Sequence, residues 1–177
     1  DRTQLSATTV SAITAALLDD GLIITQQLGG IRDAARGRPR VMLELNPAAA
    51  HVVGVKLALD QITVATTNFR ADVLSSLVLP IRLQRQSVSV IADLVEDGIR
   101  RCVADAGLAM EQISGVCVGL PGVVERIAGV CRASPIFGER DVPFAAEMTD
   151  RLGGVVATID SDVNLVTLAE HWFGQAR

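Results

Sequence analysis

The chain has 177 residues, of which 49% are hydrophobic and 3% are aromatic, and its net charge at pH 7 is −4. This length accommodates one ordinary domain, or a small domain together with most of another. The scarcity of aromatic side chains argues against a sheet that binds RNA or single strands, because such sheets stack bases on exposed rings. The acidic net charge likewise does not suggest a protein coated with nucleic acid.

No apolar run reaches the roughly 20 residues that a membrane-spanning helix needs, and no signal-peptide pattern opens the chain. We therefore predict a soluble cytoplasmic protein that has no membrane partner. The three cysteines, Cys102, Cys117 and Cys131, lie far apart in the sequence and lack the spacing of a zinc site. They are expected to be thiols in the core of a protein from a reducing compartment.

A short helix is predicted near the start of the chain. Ser6 is expected to cap its first turn, and Gly21 is expected to end it. Between them, Val10, Ile13 and Leu17 recur at the spacing of one apolar helix face. The remaining surface of this helix carries small groups, so it is slim enough to enter a major groove about 12 Å wide.

Two β-type segments, residues 22–25 and 40–45, follow this helix and enclose a basic loop. The loop and its exit contain four arginines: Arg32, Arg36, Arg38 and Arg40. A helix, a strand, a basic loop and a second strand form a winged helix, in which wing arginines contact phosphates or the minor groove. The alternative is that the helix and hairpin form a packing or dimerisation element. Only the last of the three helices of a winged helix is complete, so this domain is predicted to be incomplete at its N-terminus.

Residues 46–177 have the pattern of an α/β domain that begins at Asn46-Pro47. Strands are predicted over 52–57, 62–67, 73–83, 113–120, 129–131 and 155–159, and helices over 87–106, 143–152 and 163–173. The near-continuous apolar run at 113–120 is typical of a central strand that is covered on both faces.

Four motifs in this order resemble the ROK family, which unites transcriptional repressors and sugar kinases. They are L-S-x-x-T-V-S at residues 5–11, the G-R-x-x-x-x-L-E-L-N-P wing exit at 37–47, G-x-P-G-x-V at 119–124, and a segment similar to E-N-D-A-N at 160–164. The resemblance implies a partial winged helix-turn-helix followed by the first lobe of an actin-like (ribonuclease H-like) ATPase-type fold. It divides the chain into a winged helix DNA-binding domain, 1–45, and a ROK sugar-kinase-like domain, 46–177, that is incomplete at its C-terminus.

The resemblance to the repressor branch implies that a double-stranded DNA operator is the partner of the first domain. The DNA-contacting residues are then Thr8, Thr9 and Ser11 of the helix, together with the four arginines of the wing. Relatives often carry arginine at the positions of Ala7 and Ala12, and arginine to guanine is the commonest specific base contact. Without those arginines, more of the affinity is expected to come from the wing.

One departure from the family argues against phosphoryl transfer. Kinases of the family begin with D-x-G-x-T, whose carboxylate organises Mg²⁺, whereas this chain has Lys56-Leu57-Ala58 there. Lysine puts a cation where a hard metal ion requires an oxygen ligand. The methyl group of Ala58 also stands where the backbone would approach the phosphates. Phosphoryl transfer depends on positioning and neutralising those phosphates, so we predict that the protein is not an enzyme.

The resemblance also implies a sugar-binding site formed by Pro121, Gly122, Ser161 and Asp162. Asp162 aligns with the base of the kinases and is expected to hydrogen-bond a sugar hydroxyl. Two simpler interpretations remain open: Asp162 caps the helix that follows it, and Pro121-Gly122 is only a turn. The segment 139–141, Glu-Arg-Asp, lacks the tryptophan that relatives often present there.

A sugar or phosphosugar effector and assembly into a homodimer or homotetramer are the remaining expectations. No cofactor is expected within this chain. The family's GE-x-GH sugar motif and its cysteine-rich zinc site would follow Arg177, so zinc is expected only in a missing C-terminal part. The rival interpretations are a glucokinase-like sugar kinase and a DNA-binding regulator whose second domain only dimerises.

Overall fold

The computed structural model describes residues 4–26 and 41–174. The chain divides into two compact units, residues 1–49 and 50–177. None of the helices in the described ranges combines the length and the apolar character that a membrane span requires.

The first unit contains one helix and a pair of short strands. Helix α1 spans Ala7–Asp19, and the Ser6 hydroxyl accepts a hydrogen bond from the Thr9 N–H at 3.1 Å, as the sequence predicts. Gly21 ends the helix at a φ of +69°, a conformation that glycine adopts without strain. Strands β1, Ile23–Thr25, and β2, Leu43–Leu45, then pair in antiparallel fashion. The predicted basic loop at 27–40, including all four arginines, lies outside the described residues.

The apolar face of α1 is less buried than its sequence pattern predicts. Val10 and Ile13 are 41% and 46% exposed, Leu17 is half-buried, and α1 has no buried residue. The pattern and the cap set the helix locally, but burial needs a packing surface, and the described part of the first unit offers only a small one.

The elements of the second unit are β3 His51–Leu57, β4 Gln61–Asn68, β5 Val73–Pro80, α2 Val88–Asp105, β6 Ile113–Leu120, β7 Val123–Glu125, β8 Val130–Ala133, α3 Phe144–Arg151, β9 Ala157–Ser161 and α4 Asp162–Phe173. Five of the strands form one sheet in the order β5-β4-β3-β6-β9. Strands β3, β4 and β5 form an antiparallel meander, whereas β3, β6 and β9 run parallel to one another. Strands β7 and β8 form a separate hairpin.

Most boundaries in this unit agree with the predictions within one residue, and the larger differences lie in β5, β9 and the β7–β8 hairpin. Strand β5 ends at Pro80 instead of residue 83, because its partner β4 begins at Gln61, and the N–H groups of Ile81 and Leu83 donate instead to carbonyls of the preceding turn. Strand β9 starts at Ala157 instead of residue 155, since Gly153 and Gly154 before it adopt positive φ. The three-residue strand β7 was not predicted, and β8 begins at Val130. Strand β6 coincides with its prediction.

The core lies between the sheet and helices α2 and α3. Alternate residues of β3, Val53, Val55 and Leu57, are buried on this face, as are seven residues of α2. Gly98 of α2 faces Val64, and a Cβ atom at this glycine would lie 3.2 Å from a Val64 methyl carbon. Glycine weakens a helix, but here it allows α2 to approach β4 closely.

Two of the three cysteines belong to this core, since Cys102 and Cys131 are buried, while Cys117 is half-buried, and all three are free thiols. Burial raises the pKa of the Cys131 thiol, so it stays protonated and unreactive at neutral pH.

Candidate functional site

The carboxyl ends of three parallel strands meet at one edge of the sheet in the second unit. Strand β3 ends at Leu57, β6 at Leu120 and β9 at Ser161. The register pairs Lys56 with Gly119, and Gly119 in turn with Asp160. Neighbouring strands are about 4.8 Å apart, so Lys56 and Asp160 are about 10 Å apart across this row. Ligands of open α/β sheets characteristically bind at such carboxyl ends.

A cavity of about 200 Å³ lies at this edge, on the face of the sheet that α4 covers. It is lined by Val55, Lys56, Gly119, Asp162, Leu165, Val166 and Ala169. The four lining residues from α4 recur at helical spacing, so one face of this helix forms one wall. The cavity is mostly apolar, and Lys56 and Asp162 are its two charged residues.

Gly119 lies where the side chain of Leu165 from α4 packs on the sheet. A Cβ atom there would lie 2.7 Å from a methyl carbon of Leu165, which is too close for a real contact. An alanine there would therefore require the Leu165 side chain to move. Neither Lys56 nor Gly119 was predicted as a site residue, although the departure from D-x-G-x-T singles out Lys56 in the sequence.

The start of α4 is organised by Ser161 and Asp160. The Ser161 hydroxyl accepts a hydrogen bond from the Asn164 N–H at 3.2 Å and is thus the helix cap. The interpretation of Asp162 as the cap is wrong, because Asp162 is the first helical residue. Among the described residues, its carboxylate accepts a hydrogen bond only from the adjacent Val163 N–H, at 3.0 Å.

Asp160 is a buried carboxylate beneath α4 that sequence reasoning did not select. It accepts hydrogen bonds from the Asn164 amide at 2.8 Å and from the Ser161 N–H at 2.7 Å, and its exposed fraction is 7%. These bonds fix the turn from β9 into α4. The motif at 160–164 contained this signal, since its first and last positions are the two residues that bond to each other.

Pro121 and Gly122 contact the β7–β8 hairpin. The Ser134 hydroxyl donates to the Pro121 carbonyl at 2.6 Å, and Gly122 has a φ of +128°. A Cβ atom on Gly122 would lie 2.2 Å from the Ala133 carbonyl oxygen. The glycine is thus required by a close approach of the chain to itself, which is the simpler of the two interpretations; Pro121 and Gly122 do not line the cavity of Lys56 and Asp162.

The segment 139–141 is held by an arginine of the hairpin. Arg132 forms ion pairs with Glu125 and with Asp141, the latter at 3.0 Å. Its hydrogen bonds to Asp141 and then Glu125 raise the pKa of the Arg132 guanidinium. Asp141 has a φ of +55°, which is unusual for a residue other than glycine, so this contact secures a turn that is costly by itself.

The cavity does not suit a magnesium-bound nucleotide. Mg²⁺ takes oxygen ligands in octahedral geometry, and this cavity offers one carboxylate, from Asp162, opposed by the ammonium of Lys56. In the described parts of the chain, no group of three or more His, Cys, Asp or Glu side chains is arranged to hold a metal ion.

The helix residues predicted to contact DNA lie on α1 and are exposed. The Ser11 hydroxyl donates to the Ala7 carbonyl at 2.9 Å, and the Thr9 hydroxyl is 2.8 Å from that of Ser6. Thr8 makes no side-chain hydrogen bond with any described residue. Thr8, Thr9 and Ser11 therefore share a solvent-accessible helix, whereas the predicted arginine contacts fall outside the described ranges.

A ROK family model matches residues 52–177. The chain belongs to the ROK family. Among curated relatives, it is 25% identical over 171 residues to the xylose repressor of Caldicellulosiruptor bescii, covering 97% of this chain and 42% of that protein. It is also 37% identical over 86 residues to the glucokinase of Thermotoga maritima, which covers 46% of this chain and 26% of that protein.

Solved structures show the same α/β fold in ROK regulators and ROK kinases. A ROK family transcriptional regulator, described as a homologue of the Escherichia coli Mlc protein, superposes with a TM-score of 0.71 at 22% identity, covering 99% of this chain and 44% of that one. A ROK hexokinase of Thermus thermophilus superposes with a TM-score of 0.61 at 24% identity, and the match covers 71% of this chain and 40% of that one. The chain thus spans about two fifths of the length of these proteins.

Proposed function

We propose that this chain belongs to a ROK transcriptional repressor that binds operator DNA through a winged helix and senses a sugar or phosphosugar without phosphorylating it. The observation that carries the proposal is that Lys56 and Asp162 both belong to the lining of one cavity. A carboxylate can accept hydrogen bonds from sugar hydroxyls, while the ammonium takes the place of a metal ligand. Named repressors among the relatives cover nearly the whole chain, which supports the same conclusion.

In this proposal, residues 1–45 form the winged helix and read DNA with Thr8, Thr9 and Ser11. Arg32, Arg36, Arg38 and Arg40 contact phosphates. Ser161 and Asp162 belong to the sugar site, as do Pro121 and Gly122 through the turn that they form. The protein acts in the cytoplasm as a homodimer or homotetramer, and the effector shifts the population of DNA-competent assemblies.

The experiment that tests this function uses the full-length protein and operator fragments selected from random duplexes. Retardation of a duplex that changes when a sugar is added supports a ligand-gated repressor. Failure to retard any double-stranded fragment would contradict DNA binding. A response to DNA but to no member of a panel of hexoses, pentoses and their phosphates would favour the alternative of a regulator whose second domain only dimerises.

The contribution of the wing is tested by changing Arg38 and Arg40 together to alanine. Removing one arginine–phosphate interaction reduces the slope of log K against log salt by about 0.9 in magnitude, so we expect weaker binding to all duplexes and a slope flatter by roughly 2. The matched control is the double variant Arg82→Ala/Arg126→Ala, which removes two exposed arginines from the second unit. An unchanged salt slope in the wing variant would count against phosphate binding there.

A sugar kinase is the second candidate, and the glucokinase of Thermotoga maritima among the relatives is the observation that favours it. A coupled ADP-release assay on the full-length protein separates the two functions. We expect no sugar-dependent ADP release above the background. Turnover of a nucleoside triphosphate by the intact polypeptide would overturn the proposal that Lys56 excludes catalysis.

A further inference from the structure

The two edges of the five-stranded sheet, β9 and β5, differ in how their outward backbone groups are satisfied. The Val116 N–H donates to the Val156 carbonyl, so the backbone groups of the next residue, Ala157, point away from β6. There the Ala157 N–H donates to the Thr149 hydroxyl of α3 at 3.0 Å. Strand β9 is also short and carries a charged residue, Asp160. A short strand, a charge and a bond to a neighbouring element all oppose the pairing of an edge with another chain.

Strand β5 forms the opposite edge and lacks these features. Its eight residues, Val73–Pro80, include no charged side chain. Val73, Leu74 and Val78 are 63%, 41% and 51% exposed. Among the described residues, the backbone of β5 is hydrogen-bonded to β4 alone. An uncharged apolar edge of this length is a template for pairing with another strand.

The free edge, which is the side of β5 that faces away from β4, presents the backbone groups of Ser76 and Val78. The Ile81 N–H donates to a carbonyl of the turn before β4, at 3.0 Å. Because N–H groups point alternately to the two sides of a strand, those of Ser76 and Val78 point away from β4. Pro80 occupies the next such position, where a missing N–H breaks no bond to β4. A bulge at Leu74 limits the free edge at its other end.

Two copies of the free edge are complementary to each other in antiparallel orientation. With a two-fold axis at Leu77, Ser76 of each copy stands opposite Val78 of the other. Because the backbone groups of both residues point outward, each such pair exchanges both of its N–H···O=C bonds. The proline of each copy then meets the bulge of the other, so the pairing uses the whole regular part of the edge.

The contact area sets the strength of this pairing. Eight residues at about 3.4 Å each form a strand of roughly 27 Å, and a band about 10 Å wide along it gives roughly 270 Å² on each copy. Stable interfaces bury about 800 Å² on each partner. The edges alone therefore form a weak dimer that dissociates on dilution.

We propose that β5 is a self-association edge, through which two copies of this chain join their sheets by antiparallel β5–β5 pairing. This inference rests on the homodimer or homotetramer of the proposed function and names the surface that forms it. The occupant of the edge is a second copy because this register gives the outward N–H groups of both Ser76 and Val78 a partner.

The test compares Ser76→Pro with Ser76→Ala in the full-length protein by sedimentation equilibrium. Proline removes an N–H that points to the free edge and breaks no bond to β4, whereas alanine changes only the side chain. We expect Ser76→Pro to raise the dissociation constant of the dimer roughly ten-fold or more, since each copy loses a hydrogen bond and leaves a carbonyl of the other unpaired. Ser76→Ala is the matched control and should associate like the wild type. Equal dissociation constants for Ser76→Pro and the wild type would overturn the inference.

A second readout needs no substitution. In the wild-type protein, hydrogen exchange of the Ser76 and Val78 amides should be slow at high concentration and fast after dilution, while the β5 amides that bond to β4 stay protected. Fast exchange in an assembled protein would place the interface elsewhere, and slow exchange that persists in the monomer would assign the edge to another segment of the same polypeptide. Either result would overturn the inference and leave the proposed function intact. If the protein is monomeric at every concentration, the inference and the proposed assembly fall together, and DNA retardation tests the rest of the function separately.

Discussion

Helices α1 and α2 have the same kind of N-terminal cap but differ in how much of their surface is buried. Each starts after a serine whose hydroxyl accepts from the backbone N–H three residues on, Ser6 in the first unit and Ser87 in the second. Helix α2 buries seven residues against the sheet, whereas α1 buries none. An isolated helix of 13 residues is marginal in water, so capping defines where α1 begins but does not by itself make it stable. Local signals thus fix helix limits, and packing surfaces fix stability.

The largest difference in stability between the two units is expected when an isoleucine is replaced with alanine in each of the two helices. Ile99 of α2 is fully buried, and Ile13 of α1 is 46% exposed. We expect Ile99→Ala to lower the free energy of unfolding by about 2–5 kcal/mol and Ile13→Ala by less than about 0.5 kcal/mol. Urea unfolding followed by circular dichroism measures both. Equal losses would mean that the apolar face of α1 is packed in solution, and the contrast between the units would disappear.

Two glycines with positive φ sharpen the contrast. Gly122 has no room for a Cβ atom beside the Ala133 carbonyl, whereas a Cβ on Gly21 would meet no atom within 4 Å. Gly122→Ala combines backbone strain with a clash and should cost about 2 kcal/mol or more, while Gly21→Ala should cost about 1 kcal/mol from strain alone. The midpoints of thermal unfolding of the two variants show which substitution costs more stability. A larger loss for Gly21→Ala would show that the first unit is the more tightly packed.

The two serine caps should give smaller effects that differ in kind. Ser87→Ala should lower the free energy of unfolding of the second unit by about 1 kcal/mol, because α2 is part of its core. Ser6→Ala should increase amide hydrogen exchange in the first turn of α1 and leave the unfolding of the second unit unchanged. Aspartate at either position is the control, since it also caps helices. If Ser6→Ala also lowered the free energy of unfolding of the second unit, the stability of α1 would be coupled to that of the core.

The smallest effect is expected at the turn between β4 and β5. The Asn68 side chain and then the Arg70 guanidinium lower the pKa of the exposed Asp72 carboxyl below its usual value. A carboxyl whose pKa is lowered by folding contributes stability above its unfolded pKa of about 3.9 and loses it as the pH falls through the folded value. Asp72→Asn should therefore be slightly less stable than the wild type at pH 7, with a flatter decline of stability below about pH 4, so that the two proteins converge in acid. An identical acid profile in both proteins would show that this turn does not couple to folding.

The fold of the second unit was largely readable because its signals are local. The continuous apolar run of β6 and the periodicity of α2 predicted both elements closely. Strand β7 was not predicted, because three residues are too few to show an alternation of apolar and polar side chains. The strand is defined by its pairing with β8, which the sequence does not show. The helix at the start of the first unit was predicted with its cap and its glycine stop, but the exposure of its apolar stripe was not, since burial depends on what packs against a helix.

By itself, the sequence determined where most helices and strands lie and that the chain resembles the ROK family, and it predicted that Lys56 stands where kinases of the family carry a carboxylate. Only the tertiary structure decided that Lys56 and Asp162 line one cavity, that Ser161 and not Asp162 caps α4, and that Gly122 is required by the chain's own backbone. The physical reason is the parallel pairing of β3, β6 and β9, which brings residues far apart in the chain to the same edge of the sheet. No local pattern encodes that proximity.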